Sequence, residues 1–134
     1  MKDCFESFVA FLNGEGYSFN SKIDSDGDGV VSIPFDGKMM KCFFSGTDKS
    51  YLSIYEVFES IPEDKVAEII LLCNSLNCQY NWITFYVDKD NDMILHVDAR
   101  LSCDESADEA MEMVARMARI GKEIKPMVMK AIYA

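Results

Sequence analysis

The chain has 134 residues, of which 49% are hydrophobic, and its formal net charge is −10. This length predicts one domain with a packed core, residues 1–134, and the absence of an apolar run of roughly 18 residues predicts no membrane span. Nucleic acid and anionic membranes both require a basic surface, which this chain lacks, so a basic or neutral protein partner is favoured.

Cysteine usage points to a reducing compartment. The chain has five cysteines at irregular spacing, and an odd number argues against a disulfide framework. Acidic side chains interrupt the apolar run at the N-terminus, which is unlike a secretory signal. Both features predict reduced thiols in a cytoplasmic protein. Free cysteines usually pack as small apolar residues, so we expect all five to be buried: Cys4, Cys42, Cys73, Cys78 and Cys103.

The front of the chain predicts one helix followed by strands. Apolar side chains recur at helical spacing over residues 3–12, and Asn13-Gly14 is a stop signal. Strand character follows at residues 17–23, 30–35, 38–45 and 51–58. Turn residues separate these segments, and Asp36-Gly37 between two apolar runs is a strong hairpin signal.

A second helix is predicted to begin at Ser60, because Ser60 and Glu63 have the spacing of a capping box. Its apolar stripe includes Ile70 and Leu76, and Leu71 widens it. A stripe of this width predicts a helix that is covered on more than one side.

Two further strands are predicted at residues 80–88 and 93–101, joined by a polar tip at residues 89–92. Their side chains alternate cleanly, and the set that includes Phe85 and Leu95 is predicted to face the core. The opposite set points the other way and includes Tyr80, Trp82, Tyr86, Ile94 and His96.

The chain ends in a long amphipathic helix, predicted at residues 104–133, with acidic residues early and basic residues late, as the helix dipole favours. The order is helix, three or four strands, helix, two strands, helix. This order predicts an α+β fold in which the helices pack on one face of an antiparallel sheet.

The loop at residues 24–29 resembles the opening half of a calcium loop, with Asp24, Asp26 and Asp28 at alternate positions before a glycine. The twelfth position of such a loop requires a bidentate glutamate, and Phe35 occupies it here. Residues 88–92 repeat the alternating acids at a predicted hairpin tip, and Asp and Gly are ordinary turn residues. A turn is therefore favoured, and a calcium-responsive module is the alternative.

No cofactor and no metal site are predicted. A zinc site built from Cys73, Cys78, Cys103 and His96 would need ligands from separate elements at unsuitable spacing. His96 is the only histidine, and Asp98 follows it on the same strand face, but strand geometry brings no nucleophile to the pair. The sequence therefore predicts no catalytic residues and no enzyme.

An aromatic patch is the candidate partner-binding site. A bare apolar patch of this breadth is rare on a monomer, and tyrosine and tryptophan are typical interface anchors. Two covers remain open at this point: a helix of the same chain, or a partner or second copy. The patch consists of Tyr80, Trp82, Tyr86 and Ile94.

The run Asn74-Ser75-Leu76-Asn77 resembles the asparagine-bearing helix end of YbjN-type proteins, a bacterial group linked to sensory transduction and regulation. Residues 82–88, an acidic turn, residues 93–101 and the long helix are also similar to that family. Gly16-Tyr17 and Asp36-Gly37 are similar to its front half. The resemblance implies an α+β domain like that of type III secretion chaperones, often dimeric and without known catalysis.

Together these features predict a non-enzymatic, cytoplasmic protein-binding module that acts as a chaperone-like adaptor or regulator. We expect a protein or peptide partner and a homodimer, with no nucleic acid and no membrane among its ligands.

Overall fold

The computed structural model describes residues 2–102 and 104–134 and confirms the predicted α+β class and element order. A short 3₁₀ turn, Glu63–Lys65, precedes the second helix. Among the described residues, no helix combines the length and the apolar character needed to cross a membrane. The elements are α1 Cys4–Gly14, β1 Asn20–Ile23, β2 Gly29–Phe35, β3 Lys38–Ser45, β4 Tyr51–Ser60, α2 Val66–Gln79, β5 Thr84–Val87, β6 Asp92–Arg100 and α3 Ser106–Tyr133.

The strands form one antiparallel sheet in the order β1-β2-β3-β4-β6-β5. Neighbours along the chain pair through tight turns, and Asp36 and Gly37 both adopt the positive φ that a two-residue hairpin requires. The exception is the pairing of β4 with β6, which places β6 between β4 and β5. The two halves of the chain are joined through this central pair.

All three helices pack on one face of the sheet, as predicted. The rings of Phe8 in α1 and Phe44 in β3 have their centroids 5.5 Å apart. Gly121 in α3 lies so close to β4 that a Cβ atom on it would be 3.4 Å from the Phe58 ring. Ile69, Cys73 and Leu76 of α2 are buried in the same core, and just after α2 the ring of Tyr80 packs against Phe85 of β5, with centroids 5.8 Å apart. The core therefore lies between this inner face and the helices.

Helix α1 begins with a reciprocal cap. The Glu6 amide donates to Asp3 Oδ1 at 2.8 Å, and the Asp3 amide donates to Glu6 Oε1 at 3.0 Å. Two of the amides that a helix start leaves without partners are thereby satisfied.

The capping box predicted at Ser60 is wrong, because β4 continues through Ser60 by pairing with Asp92 of β6. The Ser60 hydroxyl donates to Asp92 Oδ1 at 2.9 Å instead of capping a helix. Helix α2 begins only at Val66. Pairing with a distant strand has overridden a local helix-start signal.

Helix α2 is also more exposed to solvent than its wide apolar stripe predicted. Ile70 is 50% exposed and Leu71 is 71% exposed, so the prediction that this helix is covered on more than one side is wrong. Cys4, Cys42 and Cys73 are buried as expected, but Cys78 near the end of α2 is exposed, and Cys103 lies outside the described residues.

The end of α2 holds the edge strand β5 through one side chain. Asn77 Nδ2 donates to the Phe85 carbonyl oxygen at 2.9 Å, and the Phe85 amide donates to Asn77 Oδ1 at 2.8 Å. This exchange of two hydrogen bonds is what a neighbouring strand residue would provide. Asn77 therefore satisfies the backbone on the free side of an edge strand.

We predict that Asn77→Ala lowers the free energy of unfolding by about 1–3 kcal/mol, because it removes both hydrogen bonds to Phe85. Asn74→Ala, an exposed position in the same helix, is the matched control and should change stability by less than about 0.5 kcal/mol. Urea unfolding measures both. Equal effects of the two variants would contradict the role of Asn77.

Candidate protein-binding surface

The outer face of the sheet, defined here as the side opposite the helices, carries a row of ring side chains. Tyr55 and His96 are directly opposite each other on β4 and β6, and their rings stack with centroids 4.2 Å apart. Phe43 meets Tyr55 edge-on at 5.8 Å, and Tyr86 meets His96 edge-on at 6.4 Å. The row crosses four adjacent strands, because cross-strand neighbours on one face lie within ring-contact distance.

Apolar side chains widen this row and are accessible. Val57 is 52% exposed, Tyr55 is 36% exposed and Met39 is 42% exposed. Ile94 contributes to the same face but is almost covered by its neighbours. Apolar groups gathered on an open sheet face are characteristic of protein–protein contact surfaces.

Polar partners hold the centre of the row in place. His96 Nε2 lies 2.8 Å from Asp98 Oδ1, and the Ser53 hydroxyl donates to the same oxygen. Burial opposes the charged form of Asp98, but the hydrogen bonds from Ser53 and His96 lower its pKa below the usual range. Partial burial, with nearby Tyr55 and carboxylates, raises the pKa of Tyr86. The outer face therefore offers rings together with fixed hydrogen-bonding groups.

The structure separates the four residues predicted to form the patch. Tyr86 and Ile94 are cross-strand neighbours on the outer face. Tyr80 turns toward the helices, where its hydroxyl donates to Glu123 Oε2 of α3 at 3.0 Å. The predicted strand at residues 80–88 is therefore too long, since α2 extends to Gln79 and β5 begins at Thr84.

Trp82 lies apart from both groups and is 62% exposed. Its φ of 78° is uncommon for a bulky residue, and such outliers often occur where a side chain is held for binding. The Arg116 guanidinium carbon is 5.6 Å from the Trp82 ring centroid. Together they line a groove of about 310 Å³ between the end of β6 and α3.

Sequence reasoning missed the contribution of β3 and β4. Phe43, Tyr55 and Val57 belong to the outer face, but the patch predicted from the sequence contains no residue of β3 or β4. The signal was present in β4, because the apolar residues Leu52, Ile54 and Phe58 alternate with Tyr55 and Val57, and the structure buries the first set. Only the β4–β6 pairing shows that the rings of β3 and β4 form one surface with those of β5 and β6.

The two acidic loops have the same backbone geometry. In the first, Asp24 Oδ1 accepts from the amides of Asp26 and Asp28 at 3.0 and 2.9 Å. In the second, Asp88 Oδ1 accepts from the amides at positions 90 and 92, both at 3.0 Å. The leading aspartate therefore closes each hairpin turn. Nowhere in residues 2–102 and 104–134 do three or more His, Cys, Asp or Glu side chains form a group that could hold a metal ion.

The candidate zinc ligands are also apart. Cys73 is buried in the core, Cys78 is exposed, and His96 lies on the outer face of the sheet. The fourth candidate, Cys103, lies outside the described part of the chain.

A helix-backed antiparallel sheet with an open aromatic face defines an α+β protein with a candidate surface for another macromolecule. The chain belongs to the YbjN family, whose model is described as "Putative bacterial sensory transduction regulator" and matches residues 6–128. The comparison with curated proteins gave no significant match. The family match confirms the resemblance seen in the sequence and covers nearly the whole chain.

We predict that Asp24→Ala and Asp88→Ala each lower the free energy of unfolding by about 1 kcal/mol, because each removes two hydrogen bonds that close a turn. Urea unfolding should show the same midpoints with micromolar calcium and with EDTA. A calcium-dependent rise in the wild-type midpoint that is lost in Asp24→Ala but kept in Asp88→Ala would contradict this and establish a calcium site.

Proposed function

We propose that the protein is a non-enzymatic regulatory binding protein of the cytoplasm that holds a protein partner on the outer face of its sheet. This makes it a chaperone-like adaptor or regulator, within the regulatory role that the family description gives. The proposal depends mainly on one observation: a continuous row of rings across four strands, with exposed apolar neighbours, on the face opposite all three helices.

Charge supports a partner of a particular kind. The outer-face charges nearly balance, since Lys22, Lys41 and Arg100 accompany Asp92 and Asp98. The two acidic turns lie at opposite corners of the sheet, after β1 and after β5, and the whole chain carries a net charge of −10. A protein segment with apolar side chains in its middle and basic residues at its ends matches this pattern.

Two further features fit an adaptor. Exposed apolar groups provide contact area, while the acidic surface keeps the unbound form soluble. Trp82, next to its groove at the edge of α3, is a second anchor that a long partner segment could reach. We also expect the homodimer that the sequence predicts.

We predict that Tyr55→Ser/Val57→Ser weakens partner binding by more than tenfold, about 1.4 kcal/mol, because it removes the exposed centre of the outer face. Tagged wild-type protein first captures the partner from lysate of its own organism. The purified partner is then titrated against each variant, and a rise in the dissociation constant with added salt is expected from the acidic corners.

Ile70→Ser/Leu71→Ser is the matched control, because it removes exposed apolar groups of similar size from α2. Trp82→Ser tests the second anchor in the same assay, because Trp82 lies at the groove and not in the outer-face row. A partner that binds both the outer-face variant and the wild type equally would contradict the proposal. Light scattering of the wild type and of each variant measures whether the protein is a dimer. If the outer-face variant loses the dimer but keeps partner binding, this face belongs to a second copy of the chain instead.

A further inference from the structure

The inner face of the sheet contains a buried carboxyl group. Glu56 occupies β4 between the buried positions Ile54 and Phe58, so strand alternation turns it toward the core. Its cross-strand neighbours are Met40 on β3 and Leu95 on β6, both fully buried. Glu56 itself is only 4% exposed. A buried carboxylate is costly unless it is paired or hydrogen-bonded.

The Glu56 carboxyl forms no hydrogen bond with any described residue, and it borders a small cavity of about 30 Å³ under α3. The cavity has room for about two water molecules. Gly121 leaves this space open, since a Cβ atom there would lie 3.9 Å from Glu56 Oε2. Aromatic and small side chains complete the apolar walls: Phe35, Phe58 and Ala118.

Charged groups from three elements surround the cavity. Lys38 of β3 is already paired, with its Nζ 3.0 Å from Glu59 Oε2. A bulge at β4 shifts the register after Val57, so that Glu59 lies opposite inward-facing Met93 and reaches Lys38. The remaining charged groups that line the cavity are Asp36 of the β2–β3 turn and Lys122 and Lys125 of α3.

None of these lysines forms an ion pair with Glu56. Lys122 Nζ lies 4.0 Å from Asp36 Oδ2 and above the Phe35 ring. Burial raises the pKa of Glu56 to about 7, with Lys38 opposing the rise and Asp36 adding to it. The folded protein therefore holds a proton here at a pH at which an ordinary glutamate has released it.

We propose that Glu56 is a proton-binding switch that controls how α3 is seated on the sheet. With its proton, the neutral carboxyl lies in the small cavity beneath Gly121. When the proton leaves, the buried charge draws water and Lys38, breaks the Lys38–Glu59 pair, and loosens residues 118–125 of α3. This switch lies on the inner face and does not depend on the partner proposed for the outer face.

The direction of the pH effect follows from linkage. Between the reference pKa of 4.5 and the folded value of about 7, the folded chain binds one more proton than the unfolded chain. The contribution of Glu56 to the free energy of unfolding is therefore complete below the reference pKa. It is lost as the pH rises from the reference pKa through the folded pKa. Above that value, Glu56 contributes no further change.

The first test is direct. Carbon-detected NMR of the wild-type protein should show the Glu56 carboxyl titrating near neutral pH. Hydrogen exchange, corrected for its intrinsic pH dependence, should show protection of residues 118–125 falling about tenfold between pH 6 and pH 8. A Glu56 pKa near the ordinary 4.5 would overturn the proposal.

Matched variants separate the switch from other titrating groups. Glu56→Gln mimics the protonated form, so its protection should stay high and nearly independent of pH. His96→Gln is the control, because it replaces the chain's single histidine, which lies on the outer face and away from the cavity. The proposal would also be overturned if protection in Glu56→Gln kept the wild-type pH dependence, or if protection in His96→Gln lost it. If Glu56→Gln does not fold, the wild-type titration still decides.

Discussion

The pairing of β4 with β6 is the constraint on which the rest of the structure depends. These strands form the longest ladder of the sheet and join residues far apart in the chain, from Tyr51 with Arg100 to Ser60 with Asp92. The cost in loop entropy of such a pairing is recovered by the apolar side chains it buries beneath α3. Without this ladder, β1–β4 and the β5–β6 hairpin would be two separate sheets.

The same ladder gives β4 two different faces. Tyr55 and Val57 point to the outer face, while Glu56 between them points to the cavity under α3. Residues adjacent in the sequence therefore serve the proposed partner surface and the proposed proton site. A strand can do this because successive side chains leave it in opposite directions.

The free edge of the sheet at β5 is satisfied by a local side-chain interaction. Asn77 satisfies the free side of β5 through the Phe85 backbone, so the helix end protects an edge that would otherwise invite another strand. The asparagine-bearing helix end that suggested the family thus has a physical role. Just beyond it, the chain enters β5 through Trp82 in a left-handed conformation, which leaves that ring outside the sheet.

Much of the fold could be predicted from the sequence because its signals are local. Turn residues such as Asp36-Gly37 located the hairpins, and alternation located the inner face of β6. Local signals failed where a distant contact was stronger. Ser60 had the features of a helix cap, but pairing with Asp92 kept it in a strand.

The candidate surface could likewise be predicted from the sequence only in part. Alternation placed Tyr86 and Ile94 together, because both lie in regular paired strands. It misplaced Tyr80 and Trp82, because α2 and the irregular segment after it break the period of two. The family and the order of elements were determined by the sequence itself, through propensity, turns and periodicity. The joining of β3, β4 and β6 into one aromatic face, and the burial of Glu56, were decided only by tertiary structure, because strand partners are chosen by packing across the whole chain.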